Sequence, residues 1–459
     1  MEPGDRSGHR RSYHPCRVGT QGSVLTGAAD EVRTGPTGLA ARFIRSEKGR
    51  GFIAFRHRAY RLIFTGFLIQ QIGFWMSHVT LQGLVEDRAA DGDNLAITWL
   101  FVALFTPQLV IGPFAGVLAD RLERRRIVVA CYSAAALTAS LLAVLTYLSD
   151  APPLVAIYLL ALALGSSFSF IGPSAGALVV NSVSPDEVTS AISMQAAVQN
   201  MTRVAGPILA AGIIASQRFH LAFAAFAVAT AIAAVMMSRV QVAPQRIVAD
   251  SLGVFARMAV GFRHARDRRP ALLAIATVAV GSIFGVAHTA LIPSFTSEVL
   301  GEDAGRFGVI VAATGIGAIV GALTVGYSKR EPSMARGALA LVLYGVCLAG
   351  FALSGSLVIA VIWQVVLGFF YFGTMTTLQT LVQQVVADEM RGRVMSLFGI
   401  AWGGLVWVGT LVLGLAADQR GLDLGERTTL LLSAGVLMAY GAVVAVVSRT
   451  MPTGSSYPD

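Results

Sequence analysis

The chain has 459 residues, of which 55% are hydrophobic and 13% are charged, and its formal net charge is +9 at pH 7. Soluble domains carry roughly twice this share of charged residues, so a soluble fold could not hide so much apolar surface from water. The composition excludes a water-soluble domain and indicates a protein embedded in lipid. The positive charge lies in a tail and in loops and does not indicate nucleic acid as a partner.

Residues 1–58 form a polar segment that is rich in Gly and Arg. Arg10-Arg11 could begin a twin-arginine signal, but no apolar segment follows it, which argues against a cleaved signal. We therefore interpret 1–58 as a disordered cytoplasmic tail or an over-extended gene start. A regulatory or lipid-binding role for its basic residues is the alternative.

Twelve apolar segments follow the tail, six before and six after a polar stretch. About 20 mainly apolar residues are needed for a helix to cross a bilayer, and strands with open edges cannot satisfy their backbone groups in lipid. The sequence therefore predicts an all-α integral membrane protein with 12 transmembrane helices. The segments are 62–85, 95–118, 127–148, 154–180, 189–215, 219–237, 272–295, 307–327, 337–353, 357–382, 394–417 and 428–447.

The polar stretch 239–270 carries seven arginines and a partly amphipathic pattern. We interpret it as a cytoplasmic connector that holds a short surface helix. The predicted organisation is then an N-terminal six-helix bundle at 59–238, a C-terminal six-helix bundle at 271–449 and a short tail at 450–459.

The loops alternate in charge along the chain. The first and seventh loops are acidic, whereas the second and eighth carry Arg and Lys. Because Arg and Lys favour the cytoplasmic side of a membrane, this pattern predicts that both termini and the connector are cytoplasmic.

The two halves repeat short features at corresponding places. Asp186-Glu187 before the fifth segment recurs as Asp388-Glu389 before the eleventh, and Gly112 and Gly116 recur as Gly317 and Gly321. Repeats with the same orientation predict two pseudo-symmetric bundles related by an axis along the membrane normal. We expect a solute site between them, near the middle of the bilayer.

The loop between the second and third segments combines glycine, a carboxylate and arginines. Gly112 and Gly116 lie four residues apart on one helix face, which permits close contact with another helix. Asp120 places a carboxylate at the helix end, where it can meet an arginine or the positive N-terminus of a neighbouring helix. The arginines are Arg121, Arg124, Arg125 and Arg126.

Two more stretches carry recognisable patterns: Arg203-Val204-Ala205-Gly206-Pro207, and the run from Asp388 to Leu397 that reads DEMRGRVMSL. Together with the 112–126 loop they resemble the major facilitator superfamily of secondary transporters, over about residues 55–449. Within it, the last run resembles the bacterial efflux branch that includes enterobactin exporters and macrolide-efflux-like proteins.

The resemblance implies that Asp120 contacts the start of the eleventh helix and latches an outward-facing state. One alternative is that Asp120 pairs with Arg124. Another is that the arginines only set the topology in the membrane. Glu123 stands where the family has a glycine, and Val325 replaces the aspartate in the second half, so one latch is expected. The residues assigned to the latch are Gly112, Gly116, Asp120, Arg121, Arg124, Arg125, Arg391 and Arg393.

The fifth segment carries an incomplete form of the antiporter motif. Gly206 and Pro207 are present, but Thr202 replaces the leading glycine and Ala210-Ala211 replace the trailing ones. A plain kinked helix is the alternative interpretation.

Polar side chains inside apolar segments are costly in lipid and usually face a cavity or a partner. Three helices carry them at helical spacing, which predicts a lining of amides and aromatic rings. Amides that bridge neighbouring helices are the structural alternative. The cavity candidates are Gln71, Trp75, His78, Gln82, Gln195, Gln199, Arg203, His288, Thr376, Gln379 and Gln383.

Two kinds of ionisable residue stand out among these candidates. Arg203 keeps its charge and could hold an anionic part of a cargo or form a gating ion pair; a snorkelling or carbonyl-bonded structural arginine is the alternative. His78 and His288 are the candidates for proton coupling, because no Asp or Glu falls in the middle of a segment and histidine titrates near neutral pH. Lone histidines of this kind are also often structural.

These features predict a bacterial inner-membrane exporter that is not an enzyme and needs no cofactor or metal. It would use the proton gradient to move an amphipathic small molecule, drug-like or siderophore-like, outward by alternating access, and would act as a monomer in the lipid bilayer. Uptake or facilitated diffusion and lysophospholipid translocation by the same fold are the alternatives. A membrane sensor or scaffold that transports nothing is the alternative from another class.

Overall fold

The protein is described from a computed structural model that covers residues 47–89, 93–112, 114–115, 122–241, 254–327 and 331–449. Most of the predicted N-terminal tail and the C-terminal tail at 450–459 lie outside the described residues. The same holds for Gly116, Asp120 and Arg121 of the predicted latch.

The described part of the chain is helical and contains no strand. Twelve long helical segments cover the twelve apolar segments of the sequence. They are α1 Arg58–Arg88, α2 Asn94–Val110, α3 Arg124–Leu148, α4 Leu154–Val180, α5 Val188–Ala215, α6 Phe219–Ser238, α7 Arg269–Val299, α8 Phe307–Tyr327, α9 Met334–Ala352, α10 Leu357–Val385, α11 at 388–417 and α12 Gly425–Ser448.

Ten of these helices are long and apolar enough to cross a membrane by length and composition. The other two are α2 and α5. α2 is 17 residues long and ends at Val110, and helical conformation then resumes at Gly112 and at Phe114. α5 carries Gln195, Gln199 and Arg203, which lower its apolar content. The helices confirm the all-α membrane fold that the sequence predicts.

The same helix pairs pack together in each half of the molecule. In the first half α1 packs on α5, α2 on α4 and α3 on α6; in the second half α7 packs on α11, α8 on α10 and α9 on α12. Each half therefore repeats the packing of the other, as the internal sequence repeat predicts. In some of these pairs the helix backbones approach closely. Between α8 and α10, an added Cβ at Gly317 would collide with the carbonyl oxygen of Val365.

Residues 47–58 differ from the disordered tail that the sequence predicts. Glu47–Arg56 forms a 3₁₀ segment that packs against α5. Phe55 contacts Tyr60 and Phe64 edge-on, with ring centroids 5.2 and 4.7 Å apart. Glu187, which is 1% exposed, pairs with Arg56 at 2.7 Å and His57 at 2.6 Å. Aromatic packing and this buried carboxylate order the segment, and composition alone does not reveal either of them.

A helix at Val254–Asp267 occupies the connector, where the sequence predicts a short surface helix. It packs on the first turns of α11, with the Cα of Gly261 close to the backbone of Arg393. The connector helix therefore covers the start of α11, which is the predicted partner of the Asp120 latch.

Two helices of the second half are interrupted. α7 changes to a π turn at Gly281–Gly285 and a 3₁₀ turn at Val286–Ala290, and α11 contains a π turn at Ile400–Gly404. Ser282 Oγ in the first interruption donates to the carbonyl oxygen of Trp402 in the other, at 2.8 Å. Helical defects of this kind free backbone groups and often occur at functional sites.

Candidate functional site

The two ends of the bundle differ in charge. We call the end with Arg58, Arg124, Arg239 and Arg336 the Arg-rich end, and the opposite end, with Glu86, Asp93, Asp418 and Glu426 among others, the acid-rich end. The two halves of the molecule meet at the acid-rich end.

A network of polar contacts joins the halves there. Asn94, 3% exposed, donates from Nδ2 to Oε1 of Glu426 at 2.7 Å and accepts from Ser294 Oγ at 2.6 Å. Hydrogen bonds to a buried carboxylate contribute about 1.5–3 kcal/mol each. We call this network the acid-rich gate; it comprises Asp93, Asn94, Leu95, Ser294, Asp418, Arg420 and Glu426.

Asp418 forms a second contact between the halves in the acid-rich gate. Its side chain is 1% exposed, and its Oδ2 accepts from the backbone N–H of Leu95 at 3.2 Å. A carboxylate at a helix N-terminus is stabilised by the free N–H groups and by the helix dipole. Arg420 adds an ion pair with Asp93 at 3.1 Å, which is more exposed and contributes less.

Small residues bring the helix backbones of the two halves together beside this gate. An added Cβ at Gly414 of α11 would collide with the Thr98 hydroxyl of α2, and one at Gly308 of α8 would lie 3.0 Å from the Cβ of Ala211 in α5. Further along, one at Gly315 would lie 2.9 Å from the carbonyl oxygen of Arg203. The halves are therefore in tight contact from the acid-rich end to about mid-height.

Glycines towards the Arg-rich end have no such contacts. An added Cβ would meet no atom within 4 Å at Gly112 of α2, at Gly172 and Gly176 of α4, or at Gly392 and Gly399 of α11. In the described part of the chain, these glycines thus show tight contact between the halves at the acid-rich end and none towards the Arg-rich end.

A cavity of about 440 Å³ lies between the halves where this contact ends. Its wall comes from α1, α2 and α5 of the first half and from α7, α8, α10 and α11 of the second. Gln108, Gln199 and Gly399 of this wall are exposed and lie on its Arg-rich side. The interrupted parts of α7 and α11 contribute Thr289 and Trp402.

Five of the predicted cavity residues line this space, namely Trp75, His78, Gln82, Gln199 and Arg203. Gln71 and Gln195 do not, although they lie on the predicted faces of α1 and α5. Sequence reasoning missed most of the remaining wall. The missed polar and aromatic residues are Phe74, Phe101, Phe105, Gln108, Thr289, Thr314, Tyr371, Phe372 and Trp402.

His288 lies behind the cavity wall and is 1% exposed. Thr314, which lines the cavity, donates to Oε1 of Gln364 at 3.1 Å, and Nε2 of Gln364 lies 3.1 Å from Nε2 of His288. Since an amide nitrogen can only donate, His288 accepts at Nε2 and donates from Nδ1 to the carbonyl oxygen of Gly285, at 2.6 Å. A continuous hydrogen-bonded chain therefore connects this histidine to the cavity. Gln364, a buried amide in an apolar segment, was a signal in the sequence that pattern reasoning passed over.

Thr376, Gln379 and Gln383 of α10 are not part of the central cavity. Thr376 lines a second cavity of about 710 Å³ between α8, α9 and α10, near the Arg-rich end. Gln379 is half-buried, and Gln383 is exposed and accepts from Arg391 Nε at its backbone carbonyl, 3.1 Å away.

Two described arginines of the predicted latch, Arg125 and Arg393, have contacts within their own half. Arg125 pairs with Glu123 at 2.9 Å and donates to the carbonyl oxygens of Ser238 and Val240, at the C-terminal end of α6. In this position it stabilises a helix C-terminus. Arg393 contacts Met390 Sδ at 3.8 Å, one turn earlier in α11.

Gly206 and Pro207 lie where α5 crosses two other helices. An added Cβ at Gly206 would collide with Trp75 of α1, and the carbonyl oxygen of Pro207 faces Gly308 of α8. The helix continues through Pro207 to Ala215. The pair therefore lies at the junction of both halves.

No cluster of His, Cys, Asp or Glu within the described ranges could hold a metal ion. The cavity wall instead offers amides, hydroxyls, aromatic rings and one guanidinium, which suit reversible binding of a small molecule.

Comparison with known proteins gives a consistent result. The model of the Major Facilitator Superfamily matches residues 63–410. The chain is 24% identical over 366 residues to the staphyloferrin A transporter of Staphylococcus aureus, covering 79% of this chain and 90% of that protein. It is 21% identical over 345 residues to macrolide efflux protein A of Streptococcus pyogenes, covering 72% and 83%.

Solved structures agree on the fold. A point mutant of the nucleoside transporter NupG superimposes with a TM-score of 0.64 at 16% identity, covering 85% of this chain and 99% of that one.

Loss of the Asn94 side chain should weaken the acid-rich gate. Replacing Asn94 with Ala removes a donor to the buried Glu426 carboxylate, and a loss of about 2 kcal/mol shifts a two-state equilibrium about 30-fold. The measurement is the yield of an oxidative cross-link between Asp93→Cys and Arg420→Cys in a cysteine-free background. We expect a several-fold lower yield with Asn94→Ala.

The matched control is Thr146→Ala, because Thr146 lies at the same end but bonds only to carbonyls of its own helix. It should leave the cross-link yield unchanged. An undiminished yield with Asn94→Ala would show that the gate does not hold the halves together.

Proposed function

The chain belongs to the Major Facilitator Superfamily and is a multi-pass secondary transporter, and from this premise we propose that it exports an amphipathic small molecule, drug-like or siderophore-like, by proton-coupled alternating access. The observation that carries the proposal is the one-sided closure of the central cavity. A binding space closed by the acid-rich gate and open towards the Arg-rich end represents one of the two states that such a cycle needs.

The proposed orientation in the membrane decides which side of the bilayer the cavity faces. Arginine-rich ends of membrane helices favour the cytoplasm, so both termini and the Arg-rich end are cytoplasmic in this proposal. The described conformation is then inward-facing, with its cavity accessible to a cargo from the cytoplasm. Similarity to a macrolide efflux protein supports export, and similarity to a staphyloferrin A transporter supports a siderophore-like cargo.

The outward-facing state would form when the halves separate at the acid-rich gate and close at the cytoplasmic end. The unpacked glycines Gly112, Gly172 and Gly392 provide surfaces on which backbones could then approach closely. Asp120 would latch that state at the start of α11, with Arg124, Arg391 and Arg393 nearby. The pair Gly206-Pro207, at the junction of α1, α5 and α8, is a pivot in this proposal.

Proton coupling is proposed to act through His78 and His288. If His288 gained a proton, its Nε2 would become a donor, and the Gln364 amide would have to turn over to accept from it. Thr314 would then face an amide nitrogen and would have to accept instead, so a proton deep in the wall would change the hydrogen bonding that the cargo meets.

The proposed partners are therefore a small-molecule cargo, protons and the lipid of a bacterial inner membrane. The protein works as a monomer in this scheme, because one chain supplies both halves of the cavity and both gates.

Export is tested by cargo accumulation in cells that carry or lack the gene. Cells with the gene should hold less of an effluxed antibiotic or secreted metabolite, found by screening a panel, and collapse of the proton gradient should abolish the difference. Replacing Thr289 with Trp fills the cavity and should abolish export. The matched control Val443→Trp puts the same side chain on the 60% exposed outer face of α12 and should leave export intact.

Higher internal levels in cells that carry the gene would indicate uptake and refute the direction. Normal export by Thr289→Trp, with the protein present at the level of the control, would exclude this cavity as the path.

Coupling is tested with the double variant His78→Gln, His288→Gln in inverted vesicles. We expect loss of transport driven by an imposed pH gradient, while exchange of cargo across the membrane without a gradient continues. His220→Gln is the control, since His220 stacks edge-on against Tyr147 at the acid-rich end, away from the cavity. Transport that still follows the pH gradient in the double variant would remove both histidines from the mechanism.

A further inference from the structure

The Arg203 guanidinium lies between aromatic rings from both halves of the molecule. Its central carbon lies 5.2 Å from the ring centroid of Trp75 in α1 and 4.6 Å from that of Phe372 in α10. A cation over an aromatic face is attracted by the ring quadrupole. The two rings thus hold the guanidinium in the plane where the halves meet.

The two rings lie close to the guanidinium but offer no hydrogen-bond acceptor to its N–H groups. Those groups point outward in the plane of the guanidinium, and an aromatic face offers no lone pair there. Nε of Arg203 is buried and has no hydrogen-bond partner among the described residues. Nε1 of Trp75 is a second buried donor without a partner in the same part of the chain.

The charge of Arg203 is not balanced by the cavity wall. Among the described lining residues there is no Asp, Glu or Lys, and Arg203 is the one side chain with a permanent charge. The carboxylates of the acid-rich gate are already bonded to Asn94, Leu95 and Arg420. A buried cation without a partner is costly, and an anion that enters the cavity removes this cost.

Two other roles for Arg203 fit the geometry less well. A gating ion pair needs a carboxylate from a neighbouring helix, and none lines the cavity within the described residues. A structural arginine would bond its donors to backbone carbonyls, as Arg125 does at the end of α6, and no such bond forms at Arg203 in the described structure.

We propose that the cavity selects amphipathic anions, whose carboxylate or a similar oxyanion binds in the plane of the Arg203 guanidinium. Planar pairing of two N–H groups with two oxygens is the strongest arrangement open to arginine. Trp75 Nε1 supplies a further donor, and Phe74, Phe101 and Phe105 receive the apolar part of the molecule. This inference rests on the proposed role of the central cavity as the cargo site.

The contacts of Arg203 with Trp75 and Phe372 also couple anion binding to the movement of the two halves. Trp75 belongs to the first half and Phe372 to the second, so separation of the halves would take one ring away from the guanidinium. An anion bound in the plane of the guanidinium would compensate for that loss. A neutral molecule of the same shape would not.

The test compares two probes of the same ring and nearly the same shape, 2-naphthoate and 2-naphthamide, of which only the first carries an anionic head group. Binding to the purified full-length protein in nanodiscs is measured by calorimetry. We expect naphthoate to bind at least about tenfold more tightly, as one charge-assisted pair provides. Arg203→Gln should abolish this preference by weakening naphthoate alone, and Arg203→Lys should retain part of it.

Arg218→Gln is the matched control, because it removes an equal charge at the N-cap of α6, at the acid-rich end and outside the cavity wall. It should keep the preference. If Arg203→Gln fails to fold, Trp75→Phe keeps an aromatic face, as a phenyl in place of the indole, and deletes the Nε1 donor. That variant should weaken naphthoate several-fold and leave naphthamide unchanged.

The inference is overturned if naphthoate binds no more tightly than naphthamide, if neither probe binds, or if Arg203→Gln or Trp75→Phe leaves naphthoate binding unchanged. These results are distinct from a failure of the proposed export. If naphthoate is preferred but the gene has no effect on accumulation, the anion site stands and the proposed export is refuted. If a neutral cargo is exported and naphthoate is not preferred, export stands and the anion site is refuted.

Discussion

Contact between the two halves at one end of the bundle is the constraint on which the rest of the structure depends. Gly414 and Gly308 let helix backbones of opposite halves touch, and Asn94 and Asp418 join the buried polar groups beside them. In lipid a polar group without a partner is costly, so these contacts hold only while the end stays closed. Among the described residues, the exposed part of the cavity wall, at Gln108, Gln199 and Gly399, lies on the Arg-rich side.

Inside the cavity the chemistry follows from what the helices leave unsatisfied. The interruptions of α7 and α11 place Thr289 and Trp402 in the wall, and the chain from Thr314 through Gln364 to His288 is hydrogen-bonded from end to end. Arg203 is the contrast, because Trp75 and Phe372 lie close to its guanidinium while its Nε has no hydrogen-bond partner among the described residues. The guanidinium of Arg203 lacks a counter-charge in the described cavity wall. The cavity is therefore suited to a ligand that brings an anionic acceptor.

Sequence reasoning could predict the architecture but only part of the cavity. Apolar length and loop charge are local properties, so the twelve helices and the repeated halves follow from them directly. The wall depends on how each helix is rotated, which the spaced polar residues indicate only for α1 and α5, and on where helices are interrupted, which no pattern in the sequence marks. Gln71 and Gln195 therefore lie off the cavity, and His288 lies behind it. Arg125, predicted for the latch, bonds to the end of α6, a contact 113 residues away in sequence.

The most direct test of the account is a pair of distances measured by pulsed electron spin resonance in nanodiscs. One pair of labels, Tyr147→Cys and Leu422→Cys, spans the halves at the acid-rich end, and another, Asp186→Cys and Gln384→Cys, spans them at the Arg-rich end. The two distances should change reciprocally with pH or added cargo, so that any condition that lengthens the first distance shortens the second. Distances that stay fixed, or that lengthen together, would contradict a transporter whose halves pivot around a shared cavity.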